Sequence, residues 1–119
     1  MTEQPSINVT SQDDLLIVAF TESDLIECKY LDRAREEIVR LAAGGPHARI
    51  VLDVGNVRYL SSTALGMLVQ LIKTIKLSGG ELRFANPNEQ LADIFEVAHL
   101  SRVVEICDSV EEAVARFGG

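Results

Sequence analysis

Helical and extended patterns alternate along this 119-residue chain, which predicts an α/β fold: one domain over residues 1–119, with a mixed sheet of about five strands and about four helices. Three observations carry the prediction. Two short runs at the start read as a hairpin, a later run is apolar enough for a central strand, and helical periodicity recurs between the later strands.

Taken in order, Ile7-Asn8-Val9-Thr10 alternates, Ser11-Gln12-Asp13-Asp14 is polar, and Leu15-Leu16-Ile17-Val18-Ala19-Phe20 runs apolar. That is two strands joined by a tight turn. From Tyr30 to Ala42, Leu31, Ala34, Ile38 and Leu41 fall on one side while Arg33, Arg35, Glu36, Glu37 and Arg40 take the other, an amphipathic helix that Gly44-Gly45-Pro46 stops. Within Ala48 to Val54, Ile50-Val51-Leu52 is too apolar for a half-exposed strand, so it belongs at the centre, covered on both faces and ending at Asp53. A helix from about Ser62 to Leu77 closes at Ser78-Gly79-Gly80, and Leu82-Arg83-Phe84-Ala85 follows as a strand. Asn86-Pro87-Asn88 makes a turn and helix cap before Leu91, Ile94, Phe95 and Ala98. Val103-Val104-Glu105-Ile106 is the last strand, and Ser109 with Glu112 three residues on has the capping-box spacing of a final helix. Right-handed crossovers in the order β-β-α-β-α-β-α-β-α make the later strands parallel beside the hairpin.

Composition narrows the function. With 18 acidic against 11 basic residues, a net charge of -7 and no block of Lys or Arg, the chain lacks the positive footprint that a phosphate backbone or an anionic membrane requires. Nucleic acid is not an expected partner. Aromatics are 5% of residues and Trp is absent, which disfavours stacking platforms for bases. No basic leader segment precedes an apolar run, and nothing approaches the ~20 apolar residues of a membrane span, so direct membrane insertion is not expected. Cys28 and Cys107 are too few for a disulfide framework or a metal cluster. A reduced, cytoplasmic protein without cofactor or metal is the expectation.

Single residues offer little catalysis. Asp53 ends a parallel strand, where open α/β sheets place functional groups, but the acidic pair that a phosphoacceptor aspartate needs for Mg²⁺ is missing from Phe20-Thr21-Glu22-Ser23. Capping the turn into Gly55-Asn56 is the simpler role. His47 in a turn and His99 at a helix end lie in no nucleophilic motif, both cysteines read as small core fillers, and Gly79-Gly80 has neither the Lys nor the spacing of a phosphate loop. A small enzyme or nucleotide binder built on Asp53 or Asp24 is the weakest reading, and the chain is expected not to be an enzyme.

The informative stretch is Tyr59-Leu60-Ser61-Ser62-Thr63-Ala64-Leu65-Gly66. Three hydroxyls stand at a helix start, where capping explains one of them. At ~100° per residue, Met67, Leu71, Ala64, Ile75, Leu68, Ile72, Leu65 and Val69 cover an arc of about 200°, wider than the ~100° that docking on a sheet needs. The rim of this arc, Met67 with Leu71 or Val69, is expected to face solvent as a partner surface, with a wholly buried helix as the alternative. A phosphate on one hydroxyl would be tolerated by the helix dipole while its charge opposes docking, which makes a switch.

Here the chain resembles the STAS domain family of anti-sigma factor antagonists. The likeness covers nearly the whole chain: the hairpin, Asp24 before the first helix, Val51-Leu52-Asp53-Val54, Val57 through Gly66, and Gly79-Gly80-Glu81-Leu82. The family motif is written D-S-S-G-L-G, with the first serine phosphorylated by a partner kinase. Ser62 falls at that phosphoacceptor, with Ser61 and Thr63 as alternates; Ser61 stands where the motif has aspartate, Thr63 at the second serine and Ala64 at the glycine, while Leu65 and Gly66 match. The resemblance implies a phosphorylation-switched, non-enzymatic module that sequesters an anti-sigma factor or related serine kinase, with a phosphatase to reverse the switch. It also implies a partner surface of Asp24, Tyr59, Ser61, Ser62, Thr63, Met67 and Val69, although for Asp24 a helix N-cap serves equally well. The alternative function is a constitutive subunit of a lipid-transport or stress-sensing assembly.

Overall fold

The computed structural model describes residues 6–12, 15–43 and 48–118. The elements are β1 (Ile7–Gln12), β2 (Leu15–Phe20), β3 (Asp24–Leu25), α1 (Cys28–Ala42), β4 (Arg49–Asp53), β5 (Tyr59–Leu60), α2 (Ser62–Leu77), β6 (Glu81–Ala85), α3 (Glu89–Val97), β7 (Glu105–Cys107) and α4 (Val110–Gly118). A 3₁₀ turn, Leu100–Arg102, precedes β7. The expected α/β class and mixed sheet are both present: five strands run in the order β1-β2-β4-β6-β7, with β1 antiparallel to β2 and every later neighbour parallel.

Register explains the layering. In β4, Ile50 and Leu52 join a large core with α1, α2 and α3, while Val51 joins a smaller one with Ala113 and Phe117 of α4. Successive side chains of a strand point to opposite faces, so α1, α2 and α3 cover one face of the sheet and α4 the other. The central-strand expectation holds: Ile50, Val51 and Leu52 have no exposed surface.

Helix ends follow local chemistry. α2 ends at Leu77, and beyond it the Gly79 N–H donates to Lys76 O and the Gly80 N–H to Ile75 O, with Gly79 at φ 89°. This is the Schellman geometry that a residue without Cβ adopts freely. Ser109 Oγ accepts from the Glu112 N–H at 3.1 Å, as the capping-box spacing predicts.

Several expectations shift. Helix α1 begins at Cys28 rather than near Tyr30. Val103 follows the 3₁₀ turn and Val104 precedes the strand, so β7 begins at Glu105 and runs to Cys107. The short strands β3 and β5 have no periodicity long enough to read from sequence; their pairing with each other creates them. Cys107 fills the core as expected, but Cys28 is exposed. His99 is exposed beyond the end of α3 at φ 56°. The Asp13-Asp14 turn, the Gly44-Gly45-Pro46 stop and His47 lie outside the described residues.

Candidate functional site

Beyond the C-terminal ends of the parallel strands, two loops are stitched together by their backbones. Asp24 and Leu25 of β3 pair in parallel with Tyr59 and Leu60 of β5. The Arg58 and Tyr59 N–H groups donate to Ser23 O at 2.8 and 3.3 Å, and the Ser61 N–H to Leu25 O at 3.1 Å. Leu25 and Leu60 turn into the core while Asp24 and Tyr59 turn outward. Asp24 is therefore a strand residue beside Tyr59, and Glu27 occupies the N-cap position of α1 without a side-chain bond.

The loops rest on a firm base. The Tyr30 hydroxyl, in a buried side chain, donates to Ser6 O at 2.6 Å and accepts from the Thr21 and Glu22 N–H groups at 3.0 and 3.3 Å, fixing the start of the 21–27 loop. Asn88 caps α3 by accepting from the Leu91 N–H at 2.8 Å, and its Nδ2 donates to Val57 O at 2.7 Å. Asp53 Oδ1 accepts from the Gly55 N–H at 2.9 Å, the turn-capping role expected of it. A Cβ on Gly55 would lie 2.4 Å from Asn86 Nδ2, so a larger residue there would push the Asn86 side chain aside.

At the head of α2 the hydroxyls divide their tasks. Ser61, extended at φ -75° and ψ 164°, is the N-cap, its Oγ accepting from the Ala64 N–H at 3.1 Å. Ser62 and Thr63 are exposed. One turn on, Gly66 is exposed too, and a Cβ there would meet nothing within 4 Å. Residues four apart share a helix face, so Ser62, Gly66 and half-buried Val69 form one stripe beside Tyr59, which is 50% exposed. Ile26 is equally exposed, between Asp24 and Glu27 at the rim of a hollow of ≈ 220 Å³ lined by Glu22, Asp24, Ile26, Glu27 and Tyr30. Such a surface offers apolar contact with carboxylates around it. Among the described residues no group of three or more His, Cys, Asp or Glu side chains could hold a metal ion.

The family model for the STAS domain matches residues 6–113. The chain belongs to the STAS domain family. This STAS domain is 32% identical to the anti-sigma-B factor antagonist of Bacillus subtilis over 104 residues, 87% of this chain and 91% of the relative. Its fold superimposes on an anti-sigma-factor antagonist (STAS) domain protein from Planctomyces limnophilus with a TM-score of 0.81 at 16% identity, covering 96% and 98% of the two chains. The phosphorylated form of the Bacillus cell fate determinant SpoIIAA gives a TM-score of 0.69 at 14% identity, over 93% and 98%.

Of the residues singled out in the sequence, the STAS fold gathers Asp24, Tyr59, Ser61, Ser62 and Thr63 at one end, with Val69 along the stripe. Met67 corrects the sequence reading. It is 8% exposed and Leu71 not at all, because α2 lies against both the sheet and α1, which cover most of the wide arc and leave Leu65 and Val69 half-buried at its rim. The helix is not wholly buried either: Ser62, Thr63, Gly66 and Gln70 are exposed. Two features escaped the sequence reading. Ile26 sits in a segment too short for periodicity, and Gly66 gains meaning only from its empty surroundings; a glycine inside a helix, with its propensity cost, was the available signal.

Proposed function

We propose that this STAS domain is an anti-sigma factor antagonist, a non-catalytic module that docks an anti-sigma factor kinase through Asp24, Tyr59, Ser61, Ser62, Thr63 and Val69 and lets go when Ser62 is phosphorylated. One observation carries the reading: Ser61 satisfies the helix cap, which leaves the Ser62 hydroxyl exposed and unused beside an exposed apolar surface. The Bacillus subtilis relative, an anti-sigma-B factor antagonist by name, supports the role.

The chemistry is simple. The kinase transfers the γ-phosphoryl of ATP to Ser62 Oγ, the hydroxyl proton leaves, and ADP departs. Phosphate adds about -1.5 to -2 charges where the free N–H groups and dipole of α2 accept them, so the fold survives. The same charge beside Tyr59 and Ile26 must be desolvated if the partner is to stay, so the complex does not survive. A phosphatase resets the hydroxyl.

Phosphosite mapping on the tagged protein recovered from its own cells, beside a Ser62→Ala control, tests the switch. Phosphate on Ser62, with partner capture retained by Ser62→Ala and reduced at least about tenfold by Ser62→Asp, is the expected result. Hydroxyls that stay bare under growth, starvation and stress, with a partner held equally by all variants, would instead identify a constitutive subunit.

A further inference from the structure

A hollow of ≈ 380 Å³ opens at the foot of the sheet, where β6 begins and the chain approaches β7; Lys76, Glu81, Leu82, Arg83, Arg102 and Glu105 are among its walls. It exists because β7 pairs with β6 only from Arg83 onward, opposite Glu105. The Glu81 N–H donates to Ala48 O and the Val54 N–H to Ala85 O. Backbone groups of a strand alternate in direction, so Glu81, Arg83 and Ala85 turn theirs toward β4, while Leu82 and Phe84 turn theirs toward β7. One further residue of pairing would bring the Leu82 N–H to Val103 O. The Lys76 ammonium takes that carbonyl instead, and among the described residues the Leu82 N–H has no acceptor. A second donor is also unused: Nη1 of Arg83 is buried without a hydrogen-bond partner among the described residues. Donors left open in this way are uncommon, because a buried polar group without a partner is costly.

We propose that this hollow is an anion site, which takes the phosphate group of a small molecule. Charge selects the ligand class. Lys76, Arg83 and Arg102 are set against Glu81 and Glu105, a local positive excess in a chain of net charge -7. Glu105 is already paired with Arg83 and Arg116, whereas Lys76 and Arg102 have no carboxylate partner among the described residues. An ammonium has three donors, and the bond to Val103 O uses one of them. The negative end of α2 lies close by, but its last carbonyls are already engaged: the Ser78 N–H donates to Thr74 O, the Gly79 N–H to Lys76 O and the Gly80 N–H to Ile75 O.

A fixed backbone N–H beside a lysine and an arginine is a donor set suited to phosphate oxygens, which accept several charge-assisted bonds at once. The volume falls within the range of small-ligand pockets and exceeds that of one phosphate ion, so room remains for the rest of a small phosphorylated molecule. The hollow lies at the far end of α2 from Ser62, a helix of 16 residues and therefore about 24 Å long. Occupancy needs neither a phosphorylated serine nor a partner protein.

Titration of the full chain with inorganic phosphate at constant ionic strength, followed by amide NMR, tests the site. The Leu82, Val103 and Val104 amides should shift together and saturate, with a Kd between about 0.1 and 10 mM. A double variant, Lys76→Gln with Arg102→Gln, should weaken binding at least about tenfold while the circular dichroism stays unchanged. Glu81→Gln removes a carboxylate from the wall and should tighten binding, a gain that a misfolded variant cannot mimic. Acetate, the probe for a carboxylate ligand, carries one charge and two oxygens and should bind at least about tenfold more weakly than phosphate. Shifts that stay linear to ~50 mM phosphate, an equal response to acetate, or undiminished binding by the double variant overturns the proposal.

Discussion

Two adjacent serines at the head of α2 have different work, and substitution should separate them. Ser61 accepts the Ala64 N–H, so Ser61→Ala should cost about 1 kcal/mol, the usual worth of an N-cap, seen as a lower urea midpoint. Ser62→Ala, at an exposed hydroxyl, should stay within about 0.5 kcal/mol of wild type. Gly66 gives a sharper test. With nothing within 4 Å of its missing Cβ, Gly66→Ala should stabilise the free chain by about 0.5–1 kcal/mol. If a partner lies on this stripe, the same methyl group weakens partner capture; stability and binding moving in opposite directions would mark a contact surface. Tyr30→Phe removes the hydroxyl that donates to Ser6 O and accepts from the Glu22 N–H and should cost about 1–3 kcal/mol, read by thermal unfolding.

At the scale of elements, α4 packs on its face of the sheet through Ala113 and Phe117, and a chain of charges runs beside that contact. Arg83 of β6 bonds Glu105 of β7 at 2.8 Å, Glu105 also meets Arg116 of α4, Arg116 reaches Glu112 at 3.0 Å, and the Arg83 guanidinium lies 4.1 Å over the Phe117 ring. The Arg83 hydrogen bond, with Arg116 beside it, holds the Glu105 carboxyl below its ordinary range. A carboxylate more acidic in the folded state stabilises that state above its unfolded pKa, and the gain fades as pH falls through the folded value. Urea midpoints of wild type and Glu105→Gln should therefore differ most near neutral pH and converge in acid. The opposite pressure acts on Cys107, whose thiol burial pushes up, so this cysteine should resist thiol reagents in the native state while Cys28 reacts. α2 and α4 also show what periodicity conveys. The apolar spacing of α2 revealed a helix with a wide arc, but the spacing alone does not say whether a second helix or a partner covers the rim; the presence of α1 does.

For the molecule as a whole, the head of α2 meets the paired loops β3 and β5 at one end of the sheet. The order of elements was legible because each later strand is a short apolar run flanked by turn residues, and each helix keeps one apolar side. β3 and β5 were not, since two-residue strands exist only through each other. Ser62 was legible through its hydroxyl neighbours and the family motif; Ile26 and Gly66 were not, because exposure is a property of the surroundings.

By itself, then, the amino-acid order determined the α/β class, the parallel run beside a hairpin, the helix caps at Ser109 and Asn88, and the cluster of hydroxyls at the head of α2. These depend on contacts within a turn or two, or on an apolar pattern that has one way of being buried. Only the tertiary structure decided that Met67 is core and that Asp24 stands beside Tyr59. Each of those depends on which distant segment arrives to accept a hydrogen bond or exclude water, and local sequence does not carry that information.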